Sequence, residues 1–111
     1  MNDFENIFKG MKVLVVDDEQ KVVDDTVQKL EFEEINAYGI INPEEALEHL
    51  KTNTVDLIIL DWRMPSITGD VFIERLREFD MNTMIILQTG MAKDLPPLET
   101  VRKYSIQRIY F

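Results

Sequence analysis

The stretch "TVDLIILDWRMP", Thr54 to Pro65, decides how this chain is read. Its middle is an uninterrupted apolar run, Leu57-Ile58-Ile59-Leu60, with no polar alternation. A strand with one wet face alternates apolar and polar residues, whereas a strand covered on both faces does not. The run therefore predicts a central strand held between two layers. It stops without transition at a carboxylate, Asp61, followed by Trp62, Arg63 and a Met64-Pro65 turn.

Working outward, the same pattern recurs on either side. Upstream, "MKVLVV" (residues 11–16) is β-branched and apolar and stops at Asp17-Asp18-Glu19. Downstream, "NTMIILQTG" (residues 82–90) is a third such run, closed by Thr89 and Gly90. Helical periodicity separates them. Val23, Val27 and Leu30 recur at i, i+4 and i+7 within residues 20–33. "NPEEALEHL" places Asn42 as N-cap, Pro43 at the first helical position and Glu45 where a capping box needs it. "SITGDVFIERLREF" predicts a helix with Phe72, Leu76 and Phe79 on one face. "EINAYGI" and "SIQRIYF" read as shorter strands, and "DLPPLETVRKY" as a proline-interrupted helix. In the opening "MNDFENIFKG", Phe4, Ile7 and Phe8 stand at helical spacing. Residues 1–10 are read as an N-terminal extension, either docked on the body or frayed.

Strands and helices that alternate at this length pair in parallel through right-handed crossovers. The expectation is an α/β fold with an open five-stranded parallel sheet, helices on both faces, and one domain over residues 11–111. The 111-residue length suits one core, and 45% hydrophobic with 30% charged residues is an ordinary globular balance. No apolar run is long enough to cross a bilayer and no signal peptide opens the chain, so a cytoplasmic protein is expected. With no cysteine and one histidine, His49, disulfides and multi-histidine metal sites are excluded. A net charge of −9 repels phosphate backbones and disfavours nucleic-acid binding by this segment.

In an open parallel sheet, functional groups collect beyond the C-terminal strand ends where strand order reverses. Asp17 and Asp18 follow the first strand and Asp61 ends the third. If those strands are neighbours, the carboxylates converge and raise one another's pKa. A hard divalent cation relieves that repulsion. Mg²⁺ takes oxygen ligands, whereas zinc prefers nitrogen or sulfur. The plainer reading of an Asp after a strand is a helix N-cap, and "DDE" sits where one is needed.

Taken in order, "VLVVDDE", "DLIILDWRMPSITG" and "IILQTG" resemble the receiver domain of two-component response regulators, from about Lys12 to the chain end. The resemblance implies a doubly wound sheet in the flavodoxin-like order 2-1-3-4-5. It implies Asp61 as phosphoacceptor, taking a phosphoryl group from a histidine kinase or phosphotransfer protein. Mg²⁺ would be held by Asp17, Asp18, Asp61 and the backbone carbonyl of Arg63. Thr89 would be the switch hydroxyl, with Met64, Pro65, Gly69 and Gly90 shaping the loops. Tyr110 is the candidate switch aromatic, its alternative role being edge-strand packing. So read, the protein is primarily a signalling switch that catalyses its own phosphorylation and dephosphorylation.

The pattern departs from the family at its end. The lysine after the fifth strand, the proline after it and the fifth helix are absent before Phe111. The expectation is an N-terminal piece of a longer protein, with an output domain beyond Phe111. A sheet face left bare by the missing helix would favour dimers. Lys93 and His49 are expected to be solvated, and Trp62 to pack in the acceptor loop. One rival reading is a degenerate receiver that acts as an interaction module without phosphorylation. Another, a phosphatase of the haloacid-dehalogenase type, needs a D-x-D nucleophile motif on the first strand, where this chain has adjacent acids.

Overall fold

A computed structural model of the chain describes residues 10–88 and, as backbone, residues 108–110. The elements are β1 (Lys12–Val16), α1 (Gln20–Phe32), β2 (Asn36–Ile40), α2 (Pro43–Thr52), β3 (Leu57–Asp61), α3 (Gly69–Arg77), β4 (Met84–Gln88) and β5 (Arg108–Tyr110). Every strand pair is parallel and the sheet order is β2-β1-β3-β4-β5, so the expected doubly wound sheet is borne out. Residues 1–9 of the N-terminal extension, Lys93 and the proline-interrupted helix lie outside the described residues.

The period of two along the strands divides the core between two faces. Leu14, Val16, Ile58, Leu60, Ile85 and Leu87 form one buried cluster with Ala46, Leu47 and Leu50 of α2 and Phe72, Ile73 and Leu76 of α3. On the other face Val13, Ala37 and Leu57 are buried with Val27 and Leu30 of α1 against them. That helix lies close to β2. A Cβ added to Gly39 would stand 2.0 Å from Val23 Cγ1, so the glycine makes room for the helix. The doubly covered strand is complete in β1, whose Val13 to Val16 are all 1% exposed or less. In β3 and β4 the residues on the α1 side, Ile59, Met84 and Ile86, are only partly buried. Among the described residues α1 is the one helix on that face, and it packs on β1 and β2.

Local signals account for the helix starts. Asn42 Oδ1 accepts the N–H groups of Glu44 (2.9 Å) and Glu45 (3.2 Å), capping α2 as its sequence predicts. The third helix starts later than its apolar pattern suggests, at Gly69. Met64 and Ile67, in the loop before it, are buried as plugs against the core.

Two side chains differ from expectation. Phe79 lies past the end of α3 and is 41% exposed, because the helical phase that would have turned it inward ends at Arg77. Ile73 fills the buried face instead. His49 is half-buried rather than solvated, and its Nε2 lies 2.6 Å from Tyr38 Oη. Tyr38 pairs in register with Leu14, which sends it to the α2 side of the sheet and under the polar edge of that helix.

The turn into β4 is organised by Asp80. One oxygen accepts the N–H groups of Asn82 (2.9 Å) and Thr83 (3.0 Å), and the buried Thr83 hydroxyl donates to the other. Burial pushes the Asp80 carboxyl up, but the bonds from Thr83 and Asn82 outweigh it and hold the group below the usual carboxylate range. Asp80→Ala strands those donors, with an expected cost of about 1–3 kcal/mol in chemical denaturation.

Candidate functional site

The central strands end level with each other. Val16 of β1 pairs with Leu60 of β3, so the next residues, Asp17 and Asp61, emerge side by side. Oxygens of Asp17, Asp18 and Asp61 all lie within 4.8 Å of one another. Asp17 is buried, and its two partners are half-buried. The helix-cap reading fails for both first-strand acids. Glu19 occupies the N-cap position of α1 and makes no side-chain capping bond. Asp17 Oδ1 instead accepts the Glu19 N–H at 2.9 Å, a tight local turn that fixes its carboxyl at the strand end.

Three like charges drawn out of water disfavour their own ionisation. Burial first, and then the charge of Asp17, push Asp61 up to about 6 against the opposing Arg63 N–H, with Asp18 and Glu19 adding to the rise. That N–H donates to Asp61 Oδ1 at 3.3 Å. Asp17 is also raised, chiefly by burial, against the bond from Glu19. A donor set of oxygens alone, crowded and partly desolvated, fits a hard divalent cation such as Mg²⁺ and does not suit zinc.

Beside the cluster, Trp62, Arg63, Met64, Pro65, Thr68 and Asp70 line an open cleft of about 620 Å³. Gly69 opens α3 and donates its N–H to the Trp62 carbonyl at 2.9 Å. Thr89 and Gly90 follow Gln88 in the chain and lie outside the described residues. The backbone of Tyr110 pairs in register with Gln88, and its side chain lies outside the described residues. Sequence reasoning passed over two contributors. Glu19 charges the site and anchors Asp17, and its signal was the third acid of "DDE". The Gln88 carbonyl accepts the Trp62 N–H at 3.2 Å, a long-range pairing with no local signal.

A second cleft, of about 670 Å³, lies at the opposite end of the strands, between Met11, Val55, Phe79 and Met84 among others. Its acids are engaged structurally. Asp56 accepts the Lys12 N–H at 2.8 Å, and Asp80 holds its own turn. The convergent chemistry is therefore at the Asp61 end.

Across known proteins, the sequence pattern of the response regulator receiver domain matches residues 13–108. The chain belongs to that family. This receiver domain is 36% identical over 87 residues to a putative transcriptional regulator of Haloferax volcanii, covering 78% of this chain and 15% of that protein. It is 32% identical over 80 residues to the transcriptional regulatory protein CutR of Streptomyces coelicolor, covering 72% of this chain and 37% of CutR. The receiver domain thus spans well under half the length of these curated relatives. Among solved structures, the response regulator TrrA of Thermotoga maritima, in complex with Mg²⁺-BeF, superposes with a TM-score of 0.79 at 28% identity. The alignment covers 90% of this chain and 84% of that one. Among the described residues no helix is long and apolar enough to cross a membrane.

The raised Asp61 has a consequence for stability. A carboxyl whose folded pKa exceeds its unfolded value binds more protons when folded. Its contribution is present at low pH and is lost as pH rises from about 4 through about 6. Discounted for partial exposure, the loss is about 1–2 kcal/mol. In metal-free buffer, Asp61→Asn should therefore gain that much on the parent between pH 4 and 7 in denaturant titrations. A stability difference that stays flat with pH would contradict the raised pKa.

Proposed function

We propose that Asp61 accepts a phosphoryl group from a phosphohistidine on a histidine kinase or phosphotransfer protein. The observation that carries this reading is the convergence of Asp17, Asp18 and Asp61 within 4.8 Å at the ends of the two central strands. A carboxylate is a weak nucleophile, so the site works by positioning and charge neutralisation. Its placement at the end of a buried strand and the Arg63 N–H orient Asp61 before reaction. An Asp61 oxygen forms the new bond to phosphorus as the phosphorus–nitrogen bond breaks, and the electron pair leaves on the imidazole nitrogen. Asp17, Asp18 and Asp61, with the Arg63 carbonyl, would hold Mg²⁺. When bound, the ion neutralises phosphoryl charge and keeps the carboxylates ionised.

The added phosphoryl charge and acceptor oxygens give the Thr89 hydroxyl a new partner. Tyr110 moves into the space that Thr89 leaves, and Gly90, Met64, Pro65 and Gly69 shape the loops around the change. The altered surface is read by an output domain beyond Phe111 or by a separate partner in the cytoplasm, and the α1 side of β3 and β4 offers a dimer contact. The full chain is tested with Mg²⁺ and a small-molecule phosphodonor, followed by intact mass. The expected result is one phosphoryl increment, lost when the metal is chelated. An unchanged mass would favour a degenerate interaction module.

A further inference from the structure

The loop after the acceptor strand is closed by one pair of residues, Trp62 and Gly69. The Trp62 N–H donates to the Gln88 carbonyl at 3.2 Å, and its own carbonyl accepts the Gly69 N–H at 2.9 Å. The ring closes the same neck. A Cβ added to Gly69 would lie 2.5 Å from Trp62 Cε3 and 3.1 Å from both Cδ2 and Cα. The indole therefore lies directly against the first residue of α3, and the Trp62 backbone behind it is nearly as close. Gly69 has no left-handed backbone torsion. Its lack of a side chain answers to the ring and not to the chain's conformation.

We propose that the Trp62–Gly69 contact is a positioning device for Asp61 and the ion site. Trp62 sits between Asp61 and Arg63, and the Arg63 N–H binds Asp61 Oδ1. Any displacement of the Trp62 backbone passes through one peptide unit to that bond and to the Arg63 carbonyl. Met64 and Ile67 anchor the rest of the loop in the core, so displacement at the neck is not absorbed there. Trp62 and Gly69 act through Arg63 and touch no reacting atom. The inference rests on Asp61 being the acceptor.

The test compares the full chain with Gly69→Ala, Trp62→Leu and the double variant. Mg²⁺ affinity is read by calorimetry, and the Arg63 amide resonance is read in metal-free protein. Alanine is the better helix former at position 69, so a purely helical role would leave both readouts unharmed. The expected result for Gly69→Ala is a shifted Arg63 resonance and Mg²⁺ affinity weakened on the order of tenfold. In the double variant, removal of the ring relieves the 2.5 Å clash and leaves only the 3.1 Å approach to the Trp62 Cα, so both readouts return most of the way to the values of Trp62→Leu. Wild-type values for Gly69→Ala, or a double variant as impaired as Gly69→Ala, would overturn the proposal. Should Gly69→Ala fail to fold, recovery of the fold in the double variant supports it, and failure of both overturns it. If the wild type takes up no Mg²⁺, the proposed function falls, while the Arg63 resonance still decides this inference.

Discussion

With Asp61 as the proposed acceptor, the expected result for Asp61→Asn is loss of phosphoryl uptake, on the order of a thousandfold or more, because the nucleophilic oxygen is gone. The substitution is nearly isosteric, and the amide oxygen still accepts the Arg63 N–H that reaches Oδ1 in the parent. The fold should survive. It should even gain at neutral pH, since a charge that burial and Asp17 hold at a pKa of about 6 is removed from the cluster. Loss of uptake with stability retained or improved separates a chemical defect from a folding defect. Intact mass after incubation with Mg²⁺ and a phosphodonor reads the first, and thermal denaturation without metal reads the second. A variant that still gains the phosphoryl mass would move the acceptor to another residue.

The largest stability effect belongs to Phe72. Its side chain is fully buried on α3 in the cluster shared with Leu60, Ile85 and Leu87. Phe72→Ala removes its burial and leaves a cavity, a cost of about 3–5 kcal/mol. Against a total of roughly 5–15 kcal/mol for a domain, that leaves little margin. On the proposed ion site, Mg²⁺ should recover part of the loss, because Asp17, Asp18 and Asp61 converge only in the folded chain. Phe79→Ala is the matched control. Phe79 is 41% exposed beyond the helix end, so its truncation should cost about 1 kcal/mol or less. Equal costs at both positions in urea titration would return Phe79 to the core face that helical spacing suggests.

The contrast between these two phenylalanines shows where sequence reading succeeds. Phe72 and Leu76 obey the spacing because they lie inside the helix, and Phe79 breaks it because periodicity cannot see where a helix stops. Here the stop lies at Arg77, just before a turn built by Asp80 and Thr83. His49 escaped for a related reason. Its helix face is polar in sequence, yet a tyrosine from an adjacent strand reaches it. No local pattern contains that meeting.

At the site, the acids and their mutual repulsion were legible, and the larger cause of the raised Asp61, its burial, was not. "DDE" and the Asp61 strand end announced charge at two strand termini. Which pair stands level depends on the register Val16 to Leu60. The burial that raises Asp61 depends on what surrounds that end.

What the chain's own order of residues determined is the alternation of buried strands and amphipathic helices, and with it the parallel sheet. Those features follow from side-chain periodicity and short connections, both local properties. Tertiary structure alone decided that burial lifts the Asp61 carboxyl, that Tyr38 meets His49, and that Trp62 rests on Gly69. Each of these depends on strand register or ring packing, and such contacts exist only once the whole sheet has closed around them.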